Sequence, residues 1–223
     1  MRRRIRMNWL IGVVLANMCV VPFQGQYHVM PGKTNQAGSA DCFPQTPARI
    51  CLGAIGTEHC YAPPSDKDFI FGLEPRAIPV GQLDGLELTL FTAMYSGCGS
   101  GTVTKFTLLT VRNGELVNLL PDVELSNQSD YKLWSLPEFS SLPVLVTADF
   151  IWDYAAMQKS NYLEETHLAS HRYRMNAYVY DVKSGKYLQR VHYDTSKKYS
   201  GLDDAEVIDV ADAEKTAILA KLR

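Results

Sequence analysis

Several groups of side chains in this 223-residue chain have the types and spacing that chemistry needs. His167 and His171 stand four apart. On a helix both rings would share one face and could hold a metal, with Glu164 as a third ligand. His59 and His192 are further candidates, but the HExxH pattern of metal hydrolases is absent. Asp149 and Asp153 have the same spacing, and paired carboxylates at a suitable separation hydrolyse glycosides. Carboxylates at the end of a strand serve equally well as plain hydrogen-bond acceptors. The loop Ser96-Gly97-Cys98-Gly99-Ser100-Gly101 could turn successive N–H groups towards an anion. A strand pattern follows it, however, so the strand–loop–helix context of a P-loop or dinucleotide site is missing. The competing reading is a turn clipped by a Cys98 disulfide. Arg172, Arg174, Tyr178, Tyr180 and Arg190 crowd into one short region. Tyrosine and arginine are enriched where proteins bind partners, and tyrosine is also an ordinary strand residue.

These candidates depend on the strands that carry them. Residues 171–193 alternate in polarity, with Tyr173, Met175, Ala177 and Val179 on one face and Arg172, Arg174, Asn176, Tyr178 and Tyr180 on the other. A period of two marks half-buried strand. Lys183-Ser184-Gly185 suits a three-residue hairpin loop, which places Val182 opposite Lys186, Ala177 opposite Val191, Met175 opposite Tyr193, Arg174 opposite Asp194 and Tyr178 opposite Arg190. The Arg and Tyr side chains then form one solvent-facing row. Asn113-Gly114 signals a second hairpin, with Arg112 and Glu115 as a cross-strand charge pair. Asp84-Gly85 is a turn. Phe69 to Leu73 reads as a short strand stopped by Pro75, and Ile78 to Val80 as another. Residues 144–152 are almost wholly apolar and β-branched, which predicts a central strand covered on both faces, with Val146 and Ile151 deeply buried. Trp134 and Phe139 are expected core anchors. Asp209 is placed to cap a helix from Val210 to about Leu222.

The fold class expected is therefore mainly β, an antiparallel sandwich or partly closed barrel. Its parts are a signal peptide over residues 1–25, a Cys/Pro-rich lead-in over 26–66, a β domain over 67–204 and a C-terminal helix over 205–223. Arg2, Arg3, Arg4 and Arg6 followed by an apolar run of 13 residues, Trp9 to Val21, have the form of an export signal, too short for a comfortable membrane span. The lead-in shows no periodicity and reads as extended, its first part disordered to about Ala40. The formal charge of the whole chain is −2, and discounting the four arginines leaves about −6, which disfavours nucleic acid and anionic membranes as partners. Cys42, Cys51, Cys60 and Cys98 remain, an even number that in an exported chain implies two disulfides. Cys51–Cys60 is the favoured bridge, since its short loop holds two glycines. Cys42–Cys98 would then tie the lead-in to the Gly-rich loop.

The segments FIFGLEP at 69–75, SGCGSGTVTKFTLLT at 96–110, VLVTADFIWD at 144–153, HRYR at 171–174 and TSKKY at 195–199 resemble an uncharacterised family of exported bacterial β-rich proteins without an established activity. The hairpin YVYDVKSGKYLQRVHY is distantly similar to hairpins of degenerate FG-GAP-like proteins, whose calcium loop is absent here. The sequence thus points to a non-catalytic binding or interaction module of the cell envelope. Its partner is expected to be an envelope or extracellular protein or glycan, with no cofactor and no membrane insertion after signal removal. The alternative is an envelope-directed hydrolase using carboxylates or a histidine-bound metal.

Overall fold

The computed structural model describes residues 27–33, 45–53, 56–66, 69–96, 102–127, 129–151, 172–199 and 209–223. Within them the strands form three open antiparallel sheets. The first has β1 (Tyr27–Met30), β2 (Arg49–Leu52) and β3 (His59–Tyr61). The second runs β4 (Leu73–Leu83), β5 (Leu86–Ser96), β6 (Thr102–Arg112) and β7 (Glu115–Asn118), with β8 (Val123–Ser126) sharing the edge of β6 that β7 leaves open. The third has the order β12 (Lys186–Asp194), β11 (Tyr173–Asp181), β10 (Val144–Phe150), β9 (Asp130–Trp134). Helices α1 (Val210–Ala213) and α2 (Lys215–Leu222) end the chain. Asp209 caps α1 as its position suggests, its carboxylate accepting the Asp212 N–H at 2.9 Å. Among the described residues no helix is long and apolar enough to cross a membrane.

Three apolar clusters glue these elements into layers. Ile50, Phe71, Phe91 and Leu109 lie between the first and second sheets. Leu88, Leu90, Leu108 and Leu119 from the second sheet and its following loop meet Leu145, Tyr178 and Tyr187 from the third. The far face of the third sheet, with Val146, Met175, Ala177 and Val191, is covered by Val210, Ala211 and Ile218 of the helices. The third sheet is thus covered on both sides over its apolar half, which is why Val144, Leu145 and Val146 run without a polar residue, while Thr147 and Asp149 bring alternation back towards the other end. Val146 is fully buried, as expected. Ile151 is only half-buried because β10 ends at Phe150 and the next residue already lies beyond the covered face.

Local chemistry explains the departures from expectation. The lead-in is not merely extended: residues 27–30, 49–52 and 59–61 pair into a sheet, and β1 lies within the stretch expected to be disordered. Short strands with isolated prolines hide a period of two, so tertiary pairing decided the outcome. Pro75 and Pro79 do not break β4. They sit beside its two register shifts, on a strand at the sheet edge, where proline's missing N–H is tolerated. The β11–β12 register holds from Arg174↔Asp194 to Ala177↔Val191 and then slips by one, pairing Tyr178 with Gln189 rather than Arg190. The cause is the loop. Asp181 accepts the Ser184 N–H at 2.8 Å and faces Lys186, so four residues are looped out instead of three. Gly185 closes the turn at φ +64°, a left-handed value that favours glycine. A bulge at Arg190 restores the register, and such bulges also discourage edge-to-edge pairing.

Candidate functional site

Side chains of one parity on the third sheet face the second sheet, and they change character along the strands. Near the β11–β12 loop they are Leu145, Tyr178 and Tyr187, part of the closed apolar contact. Towards the other end, cross-strand pairing aligns Tyr131, Thr147, Asn176 and His192 in one row and Asp149, Arg174 and Asp194 in the next. Between sheets, that polar end leaves a groove of about 170 Å³. Thr92, Met94, Thr104 and Phe106 of β5 and β6 form one wall. Leu125 of β8, beside Thr104 in the same sheet, extends that wall, Ser126, Ser129 and Tyr131 border the space from the side of the third sheet, and Glu74 and Arg76 stand among the lining groups. Phe106 and Tyr131 meet edge to face with ring centroids 4.8 Å apart, closing the apolar side of the space.

The polar groups behind the groove are firmly held. One oxygen of Asp149 accepts the Ser126 N–H at 3.0 Å, the Ser126 hydroxyl at 2.9 Å and the Ser129 hydroxyl at 2.9 Å. Ser129 Oγ also accepts the Phe150 N–H at 2.9 Å. This cage stitches β8 to β10 and fixes the groove wall. Asn176 donates to Thr147 Oγ1 at 3.2 Å and accepts from Gln189 Nε2 and His192 Nδ1, each at 2.7 Å, which requires the proton of His192 on Nδ1. Arg174 grips Asp194 through Nε at 2.9 Å and Nη2 at 3.3 Å. Those hydrogen bonds hold the Asp194 carboxyl below the usual range.

The mouth differs. Glu74 has φ +42°, uncommon for a residue with a Cβ, where β4 slips against β5. Its carboxylate pairs with Arg76 at 3.2 Å, and both side chains are well exposed, so the pair adds little stability.

The expected binding row is divided by this geometry. Arg172 and Arg190 are exposed, Arg174 braces Asp194, and Arg190 lies 3.6 Å from Asp181. Tyr178 is buried at 7 % exposure and Tyr180 packs half-buried beside Tyr187, because the second sheet covers the face expected to be open. His167, His171, Glu164, Asp153, Cys42 and Cys98 lie outside the described residues, as do residues 1–25. His59 is exposed on β3, away from the groove. The Cys51–Cys60 bridge is formed. Thr92, Thr104, Ser126, Ser129 and Tyr131 carried no motif. Only the unusual density of hydroxyl residues on otherwise apolar strands could have singled them out. No family model, curated protein or solved structure matches the chain.

Proposed function

We propose that the protein is an exported, non-catalytic binding module of the cell envelope, and that the groove between the second and third sheets takes a glycan by one sugar ring. The observation that carries this reading is the groove's lining: hydroxyls of Thr92 and Thr104, with the Ser126 and Ser129 oxygens as acceptors since their protons go to Asp149, around the Phe106–Tyr131 aromatic pair, with Arg76 and Glu74 beside them. Hydroxyl donors and acceptors beside an apolar aromatic surface complement a sugar ring, which has both kinds of face. A space of about 170 Å³ suits one ring rather than a buried oligomer. Glu74, the carboxylate in the lining, is exposed and paired with Arg76, and Asp149 behind the groove already accepts three hydrogen bonds on one oxygen, which fits positioning roles better than proton transfer. The Cys51–Cys60 disulfide supports the exported location.

The test is calorimetric titration of the full chain with soluble oligosaccharides released from bacterial envelopes, beside Arg76→Ala and Thr104→Leu variants. Saturable binding weakened by both substitutions, with unchanged melting temperatures, is expected. Binding indifferent to both would remove the groove from the reading. Cleavage of the oligosaccharides would replace it with the hydrolase alternative.

A further inference from the structure

The outward face of the first sheet carries a different constellation. Ile50 and Tyr61 of this sheet turn into the core, so the opposite parity points away from it. On that side, pairing places His28 of β1 directly opposite Cys51 of β2, and Cys51 directly opposite Cys60 of β3. One row across three strands therefore reads imidazole, sulfur, sulfur. Glu58 joins it from the turn before β3, and the donor atoms of His28, Cys51 and Glu58 all lie within 4.8 Å of one another. The Glu58 carboxylate is held by its own N–H and that of Gly56, which keep its carboxyl below the usual range. Met30, two residues along β1, brings Sδ to 3.8 Å from Cys51 Sγ. With the disulfide closed, neither cysteine is a thiolate, and the cluster lacks its two strongest metal donors.

We propose that this row is a redox-gated site for a thiophilic d10 cation, zinc, closed while Cys51 and Cys60 are joined and opened by a dithiol reductant. Cys60 is exposed and Cys51 is buried, so the reductant's thiolate reaches Cys60 Sγ first. The S–S bond breaks with Cys51 leaving as thiolate, and a mixed disulfide forms on Cys60. The reductant's second thiolate then displaces Cys60 and leaves as a cyclic or intramolecular disulfide. Two electrons pass from the dithiol to the cystine. Binding of Zn²⁺ takes both cysteines as thiolates, with any remaining thiol protons released to solvent. Two thiolates, His28 and Glu58 make four donors of the kinds zinc accepts tetrahedrally. Adjacent strands hold three of them in one row, so little backbone ordering is needed on binding.

Full-length protein, oxidised or reduced by a dithiol that is then removed under argon, would be titrated with Co²⁺ and Zn²⁺ against a chromogenic chelator. Reduced protein should show thiolate-to-cobalt charge transfer and tetrahedral ligand-field bands, and oxidised protein neither. His28→Ala and Glu58→Gln should each weaken zinc by about tenfold or more, while a Cys42→Ser, Cys98→Ser double variant keeps the site. Equal affinity before and after reduction would overturn the proposal. So would full retention of zinc by both His28→Ala and Glu58→Gln, which would assign the metal to other thiols. Selective uptake of Cu⁺ over Zn²⁺, insensitive to Glu58→Gln but lost in Met30→Leu, would overturn the zinc assignment.

Discussion

Lys105 shows how a single residue can be misjudged by type. It lies on β6 within a run of apolar and threonine side chains, and its side chain is only 4 % exposed. Its ammonium sits 2.6 Å from Asp122 and 2.9 Å from Glu124 and rests over the Phe71 ring at 5.3 Å. Burial alone would lower its pKa, but hydrogen bonds to the two carboxylates outweigh it and the net shift is upward. A group whose pKa is raised by folding stabilises the fold below its unfolded value, near 10.4. That contribution is lost as pH rises through the folded pKa. The carboxylates are largely solvated, so removing the lysine strands nothing, whereas removing both acids strands a buried cation. Lys105→Met, which keeps the stem, should therefore change stability by no more than about 1 kcal/mol, and Asp122→Ala with Glu124→Ala should cost about 3 kcal/mol or more. Urea melts at pH 7 distinguish the two, and the reverse order would mean that Lys105 acts through its charge on the acids. At Gly32 the constraint is steric. An added Cβ would fall 2.2 Å from the Thr46 carbonyl and 2.7 Å from Gly72 Cα, so Gly32→Ala must push β1 away from the strand that follows Gly72. A loss of about 2 kcal/mol is expected in the same melts.

At the scale of elements, the C-terminal helices are docked by polar as well as apolar contacts. Glu214, between α1 and α2, accepts the Tyr193 hydroxyl at 2.8 Å and the Tyr199 hydroxyl. Lys132 of β9 pairs with Asp209 and Asp212 at the start of α1. Burial first, and then hydrogen bonding to the Glu214 carboxylate, pushes both tyrosine pKa values well above the usual 10. The neutral hydroxyls are therefore favoured by folding. Their stabilisation is complete below pH 10 and is lost progressively above it, as the undocked tyrosines ionise while the docked ones must stay neutral beside Glu214. Helix docking, followed by amide exchange of α2, should weaken between pH 10 and 12 in the wild type. In a Tyr193→Phe, Tyr199→Phe variant it should be weaker at pH 7 but nearly flat over that interval, and equal slopes would remove the latch. The helix and its Asp209 cap were legible in the sequence because both are written locally. So were the Asn113-Gly114 turn, whose two central residues have φ of +53° and +82°, and the outer half of the β11–β12 register. The inner half was not, since the loop length depended on one Asp181–Ser184 hydrogen bond. The groove was illegible for a similar reason. Its walls come from β5, β6, β8 and β9, and local periodicity says which face a residue takes but not which sheet covers it.

For the molecule as a whole, the question is whether the stacked sheets unfold together. Tyr187 bears on it most directly. Its N–H donates to Leu119 O at 2.8 Å, just beyond the second sheet, while its hydroxyl donates to Pro143 O at 2.9 Å, just before β10. Its ring is 2 % exposed within the apolar contact between those sheets, and burial pushes its pKa well up. Through its backbone, hydroxyl and ring, one residue thus joins an edge strand, the central strand's entry and the neighbouring sheet. Tyr187→Phe keeps the ring but leaves the Pro143 carbonyl without this donor, a change worth about 1–2 kcal/mol. Tyr187→Ala also opens a cavity between layers and should cost about 3–5 kcal/mol. The informative reading is where protection is lost. If the sheets form one cooperative unit, native-state hydrogen exchange in Tyr187→Ala should accelerate by a similar factor in β5–β6 and in β10–β11, because both open only through global unfolding. Loss confined to β10–β12, with β5 and β6 still protected, would instead show that the second sheet is stable by itself. The groove between the sheets would then be a joint between two independently folding layers, free to widen around a ligand without the cost of unfolding either.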